Sequence, residues 1–277
     1  MACEPAGFHA LEALRLRAPD GASAIVTLNG AQTVSWIPAG GVEQLFVSDR
    51  SDFEAGRPVR GGVPVVFPQF SDRGPLPKHG LVRTRAWRLL REATSAEGAT
   101  ATFAIEDCAE TRRLWPHSFA LELTVAIAGP SLEVRLLVRN TGEAPFPFTA
   151  ALHTYLFASD AAKARLVGLS GVRYLRGREE HVEAGESIVA ANPIDHVYID
   201  APRETRLVDG DRTLAIAQRN FRDTVVWNPG REKCAALVDM APGAFLNMLC
   251  VEAAAVAVPI ALPPGAQWTG AQRLAVA

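Results

Sequence analysis

Phe119-Ala-Leu-Glu-Leu-Thr-Val-Ala-Ile-Ala-Gly-Pro-Ser-Leu-Glu-Val-Arg-Leu-Leu-Val-Arg139 is the stretch whose pattern decides the fold class. Phe119, Leu121, Leu123, Val125 and Ile127 recur every second residue. After Ala128-Gly129-Pro130 so do Leu132, Val134, Leu136 and Val138, with Glu133, Arg135 and Arg139 on the opposite side. Successive side chains of a strand point to opposite faces, so the stretch reads as two half-buried strands joined in a hairpin. Towards the start of the chain, 24–28 and 33–37 flank Asn29-Gly30, a pair whose tolerance of positive φ suits a tight antiparallel turn. Further strands are expected at 100–106, 147–157, 214–218, 223–228 and 248–257. No segment carries a sustained 3.6-residue apolar stripe, so helix should be minor.

The rest of the composition agrees. Nineteen prolines and 22 glycines punctuate the chain at short intervals, with no fixed-period repeat or low-complexity tract. At 277 residues, with 48% hydrophobic and 21% charged residues, a single all-β antiparallel sandwich spanning 1–277 is the expectation. The formal charge of −2 asks for neither nucleic acid nor an acidic membrane surface. Between Arg57 and Arg91, however, eight basic residues face one acid, Asp72, which leaves room for a local anion-attracting surface. Solvated strand edges account for most of the eight.

Cys3, Cys108, Cys234 and Cys250 are far apart and show no metal-ligand spacing, as expected for reduced thiols in a cytoplasmic protein. The first residues, Met1-Ala2-Cys3-Glu4-Pro5, lack the features of a secretory signal. The most apolar stretch, 253–264, is too short to cross a bilayer and is interrupted by Pro259, so it reads as buried strand.

No P-loop, GxGxxG, HExxH, GxSxG or EF-hand pattern occurs, which leaves isolated acids and bases as the chemistry-bearing groups. His153 sits on an expected core-facing strand, between the apolar run 147–152 and Thr154-Tyr155-Leu156-Phe157. Imidazole can hold or release a proton at neutral pH. Periodicity alone favours a hydrogen-bonded core histidine. Glu252 places a carboxylate inside an apolar strand, between Met248-Leu249-Cys250-Val251 and Ala253-Ala254-Ala255. Burial of such a group without a partner is costly, and the shifted pKa it acquires suits general acid–base work. A third cluster joins Arg60-Gly61-Gly62-Val63-Pro64 to Lys78-His79-Gly80-Leu81-Val82-Arg83. The paired glycines would let backbone approach a ligand, and arginine's planar fork suits phosphate; an ordinary turn with surface arginines is an equal alternative.

Taken together, six segments in order resemble the glucose-6-phosphate 1-epimerase branch of the galactose mutarotase-like (aldose 1-epimerase) superfamily. They are Arg60 to Pro64 with Phe67-Pro68-Gln69-Phe70; His79-Gly80 with Arg83; Ala151-Leu152-His153-Thr154-Tyr155; Asp195-His196-Val197-Tyr198; Val225-Val226-Trp227-Asn228-Pro229; and Cys250-Val251-Glu252. Leu81-Val82, Ser71 and Gly230 depart from the family's usual residues, which bears on substrate preference more than on chemistry. The resemblance implies a large β-supersandwich and an isomerase of hexose 6-phosphates, with His153 as general acid and Glu252 as general base. It further implies Arg60 and Arg83 at the 6-phosphate, and His79 and Asp195 at the sugar ring. Neither a cofactor nor a metal is expected. The partner would be the small-molecule sugar phosphate, with no nucleic acid and no membrane, and the chain is expected to be a monomer. A mutarotase of unphosphorylated aldoses and a non-catalytic carbohydrate-binding sandwich are the alternatives.

Overall fold

The structure, a computed structural model, describes residues 3–277. The opening hairpin forms as its pattern requires. Phe119–Ala128 pairs with Ser131–Asn140 through a register running from Phe119↔Asn140 to Ala128↔Ser131, so Gly129-Pro130 alone make the turn. Its apolar row is buried, and Arg135 and Arg139 are exposed. Ser23–Thr27 and Thr33–Ile37 pair likewise. Here Asn29-Gly30 does more than turn the chain: the Asn29 amide bonds Arg57 and Gly56, and Gly30 (φ +76°) packs against the Arg83 backbone, where a Cβ would lie 2.3 Å from its carbonyl oxygen.

All strand pairs are antiparallel, in three sheets. A nine-stranded sheet runs Ser187–Ile188, Arg165–Val167, Glu204–Asp209, Arg212–Arg219, Gln267–Val276, Ser131–Asn140, Phe119–Ala128, Gly98–Glu106, Arg88–Ser95. Facing it, an eight-stranded sheet runs Glu179–Val182, Arg173–Arg176, Ile194–Tyr198, Asp223–Asn228, Met248–Leu262, Phe146–Leu152, Val65–Val66, with Tyr155–Phe157 also beside Met248–Leu262. A four-stranded sheet holds Cys3–Phe8, Leu11–Arg17, Ser23–Thr27 and Thr33–Ile37. Among the described residues helix is confined to Ala109–Leu114, Gly230–Ala236 and a 3-10 turn at Ala244–Asn247. The architecture is therefore the all-β sandwich expected.

Period two assigns each face of the eight-stranded sheet. Tyr198, Val226, Leu249, Val251, Ala253 and Leu152 point into the main core, which also takes Leu121, Leu123 and Leu136 from the nine-stranded sheet. The alternate residues Ala151, Val197, Val225, Ala254 and Val256 form a separate apolar cluster on the outer face. That outer face also carries a pocket, lined among others by Val225, Trp227 and Glu252.

Two expectations need correction. Residues 147–157 form two strands, broken at His153 and Thr154, because the His153 and Tyr155 amides turn aside to the Pro64 and Gly62 carbonyls. The stretch 253–264 is not buried throughout: burial runs to Val256 and returns at Leu262, while Val258 between them is 65% exposed. The register slips between Phe148 and Ala150, leaving a bulge opposite, and the Asp223 carboxylate accepts the freed Val256 and Ala257 N–H groups at 2.8 Å each. Pro259, with no N–H to offer, is tolerated beside this break in the ladder.

Candidate active site

Four strand residues, His153 from the break between two strands, and one loop cluster meet on the outer face of the eight-stranded sheet. Pairing sets Val197, Val225 and Glu252 in one row and Asp195, Trp227 and Cys250 in the next. Leu152↔Ala253 and Tyr155↔Cys250 share one register, which puts His153 directly across from Glu252. His153, Tyr155, Asp195, Trp227 and Glu252 thus share the face that the alternation dictates. The segment 60–83 closes over them, and Arg60, His79, Arg83, His153, Asp195 and Glu252 all line one pocket. All six residues singled out from the sequence are therefore brought together.

The glycines beside Arg60 let backbone lie close against backbone. A Cβ on Gly61 would lie 2.4 Å from the Phe46 oxygen, and one on Gly62 (φ +59°) 2.1 Å from the Thr33 oxygen. Their freedom lets the loop lie against two neighbouring segments, and this fixes where Arg60 starts.

The His153 Nδ1 lies 3.3 Å from a Glu252 oxygen, with 10% and 1% of the two side chains exposed. The two are close but not aligned as a hydrogen bond, and both His153 Nδ1 and Glu252 Oε2 are buried without a partner. Burial holds the His153 value well below its ordinary range, helped by His79, Arg60 and Arg83. Burial, with Asp195 adding, pushes that of Glu252 well up. Both pressures favour neutral groups, so the close pair carries one proton between them. One proton to give and one site to receive is the minimum for coupled acid–base chemistry. The His153 ring is stacked on Tyr155 with centroids 4.7 Å apart, which limits its rotation.

His79, in the left-handed region at φ +65°, accepts the Ser71 N–H on Nδ1 at 3.3 Å. Burial, and after it the charges of Arg83, Lys78 and Arg60, draw its value down to about 3. It is neutral at pH 7, and with Nδ1 accepting, its proton sits on Nε2 as a donor.

The two arginines differ. Arg60 spends its fork on Asp239, with Nε and Nη2 donating at 3.0 and 2.8 Å to Oδ2, while Nη1 donates to the Tyr155 hydroxyl at 3.3 Å. Arg83 forms no ion pair among the described residues. Burial draws its value down, though a guanidinium remains charged at any ordinary pH. Lys78 and Lys233 add positive charge at the rim, and Asp195, 69% exposed, sits 3.8 Å from the Lys233 ammonium. Among the described residues no group of three or more His, Cys, Asp or Glu side chains is placed to hold a metal ion, and no helix is long and apolar enough to cross a membrane.

Tyr155, Trp227 and Lys78 lie in segments that the sequence singles out but were given no role there, and Lys233 and Asp239 were not singled out. Tyr155 was detectable, since it lies two residues beyond His153 and so on the same face. Asp239 was not: it belongs to a loop 179 positions from the arginine it binds. A larger hollow of about 900 Å³, near Leu11, Asn29, Arg85 and Cys108, holds no facing acid–base pair. There the Arg85 guanidinium is already engaged by Cys108 and Glu110.

The sequence pattern of the aldose 1-epimerase family matches residues 12–275. A relative from Cenchrus ciliaris, provisionally named glucose-6-phosphate 1-epimerase, is 36% identical over 274 residues, covering 94% of this chain and 83% of its own. One from Escherichia coli (strain K12), named with the same reserve, is 33% identical over 235 residues, covering 82% and 78%. A crystal structure from Salmonella typhimurium, provisionally described as a mutarotase, superposes with a TM-score of 0.91 at 27% identity, covering 100% of this chain and 94% of that one.

Proposed function

The chain belongs to the aldose 1-epimerase family, and from that premise we propose that it interconverts the α and β anomers of a hexose 6-phosphate, glucose 6-phosphate foremost. The observation that carries the reading is the facing pair His153 and Glu252, with Nδ1 and Oε2 unpartnered in a pocket that also presents the unpaired Arg83. A buried polar atom left without a partner is rare in a folded protein and calls for an explanation. Sugar oxygens supply one.

Ring opening takes the proton of the anomeric hydroxyl and delivers a proton to the ring oxygen; rotation about C1–C2 and the reverse transfers then close the other anomer. Passing the pair's one titratable proton from Glu252 to His153 sets both roles, with His153 then the acid at the ring oxygen and Glu252 the base at the anomeric hydroxyl. A phosphate dianion beside Arg83 offsets the positive field that depresses His153, which brings the histidine nearer to its acid form. His79 Nε2–H and the Asp195 carboxylate would hold ring hydroxyls. The unpaired Arg83 favours a phosphorylated sugar over a free one, because an uncompensated cation gains from an anion.

Optical rotation of freshly dissolved α-glucose 6-phosphate tests the reading. Equilibration should accelerate with the protein and fall back to the spontaneous rate with Glu252→Gln. Equal acceleration by that variant would overturn the role of the pair.

A further inference from the structure

Thr154 and Val251 follow and precede the two facing residues, and by alternation they point into the core rather than the pocket. Gln272 meets them there. It comes from Gln267–Val276 in the opposite sheet, is 3% exposed, and shares its inward row with Gly270 and Leu274. Its Oε1 accepts the Thr154 hydroxyl hydrogen, and its Nε2 donates to the Val251 carbonyl at 2.9 Å. The ladder is interrupted at this point, since His153 and Thr154 send their N–H groups to the Pro64 and Leu152 carbonyls. The Val251 N–H to Thr154 carbonyl bond, at 3.1 Å, and the Gln272 amide bridge the gap.

An amide in an apolar row is unfavourable unless both its donor and its acceptor are engaged. Glutamine carries the two side by side, which matches a hydroxyl on one strand and a carbonyl on the next. Leucine would fill the same volume and make neither bond. We infer that Gln272 is a positioning residue: bridging Thr154 and Val251 from the opposite sheet, it fixes the separation of the strand segments that carry His153 and Glu252. The inference rests on the acid–base role proposed for that pair.

The test uses the full-length variants Gln272→Leu, Thr154→Val, their combination, and Thr154→Ser, assayed for turnover and melting temperature. Gln272→Leu should lower kcat by between about 10-fold and about 10²-fold, the scale of a small misplacement of a catalytic group, with KM changed less than about two-fold. Thr154→Ser keeps the hydroxyl and should retain kcat. The double variant removes both ends of the Thr154–Gln272 bond, so its melting temperature should recover relative to either single variant. Its kcat should stay low. Recovery of kcat alongside stability, or wild-type turnover by Gln272→Leu, would overturn the inference. A second readout does not depend on turnover. The ¹⁵N resonances of the His153 ring, identified by their loss in His153→Asn, should shift in the folded double variant. Unchanged resonances there would sink the positioning role by themselves, whereas absence of turnover in the wild type would sink only the acid–base reading.

Discussion

Replacing Arg83 by alanine removes the pocket guanidinium that has no acidic partner, while Arg60 stays locked to Asp239. A hydrogen bond to a charged group contributes about 1.5–3 kcal/mol, and each 1.4 kcal/mol is about tenfold. The loss in kcat/KM for glucose 6-phosphate should therefore be about 10- to 150-fold. Because the phosphate is remote from C1, it is bound about equally in ground and transition states, so the change should fall on KM and leave kcat within about three-fold. Free glucose offers Arg83 no anion, and any turnover of it should be unaffected. The assay is saturation-transfer NMR between anomeric protons at several concentrations of each sugar. A ratio of the two specificities that moves by less than about two-fold would refute the phosphate assignment for Arg83.

Substitution of His153 by asparagine or Glu252 by glutamine should each lower kcat by about 10²–10⁴-fold with the fold intact, checked by polarimetry alongside far-UV circular dichroism. His79 sets a pH dependence of stability. Its value is about 3 when folded against an ordinary 6.5, so below about pH 6.5 the unfolded chain takes up a proton that the folded protein refuses. The histidine's contribution is therefore full above about pH 6.5 and is lost as pH falls towards about 3. Between pH 7 and pH 5 it amounts to about 2 kcal/mol. Urea unfolding at the two pH values should show wild type losing about that much more than His79→Gln; equal losses would contradict the assignment. Gly62→Ala forces a Cβ to within 2.1 Å of the Thr33 oxygen at φ +59° and should cost more than about 2 kcal/mol of stability, read from the urea midpoint.

Alternation made the sandwich legible, because a strand buried on one face writes its burial directly into every second residue, as in Phe119 to Ile127. It was less informative where both faces are covered. His153 and Glu252 lie on the floor of a cleft, so their outer row is apolar too, with Ala151, Val225 and Ala254 around them. A charged residue in such a row stood out, but its partner across the sheet could be fixed only by register. The same rule exposes Gln272 among Gly270 and Leu274 as a polar residue in a core row, a signal present in the sequence and passed over. Arg60 shows where local reading ends. Its charge was visible, whereas the Asp239 that occupies its fork arrives from a distant loop, and no spacing encodes that contact. The strands Cys3–Phe8 and Glu179–Val182 were likewise not anticipated, since their half-exposed residues carry little apolar alternation.

Exchange between the α and β anomeric protons of glucose 6-phosphate, set beside that of free glucose, is the measurement on which turnover of a phosphorylated sugar stands or falls. Wild-type protein should speed exchange for the phosphate and do little or nothing for glucose, and the acceleration should be lost with Glu252→Gln. Acceleration of glucose alone, or of neither sugar by a folded protein, would contradict that turnover.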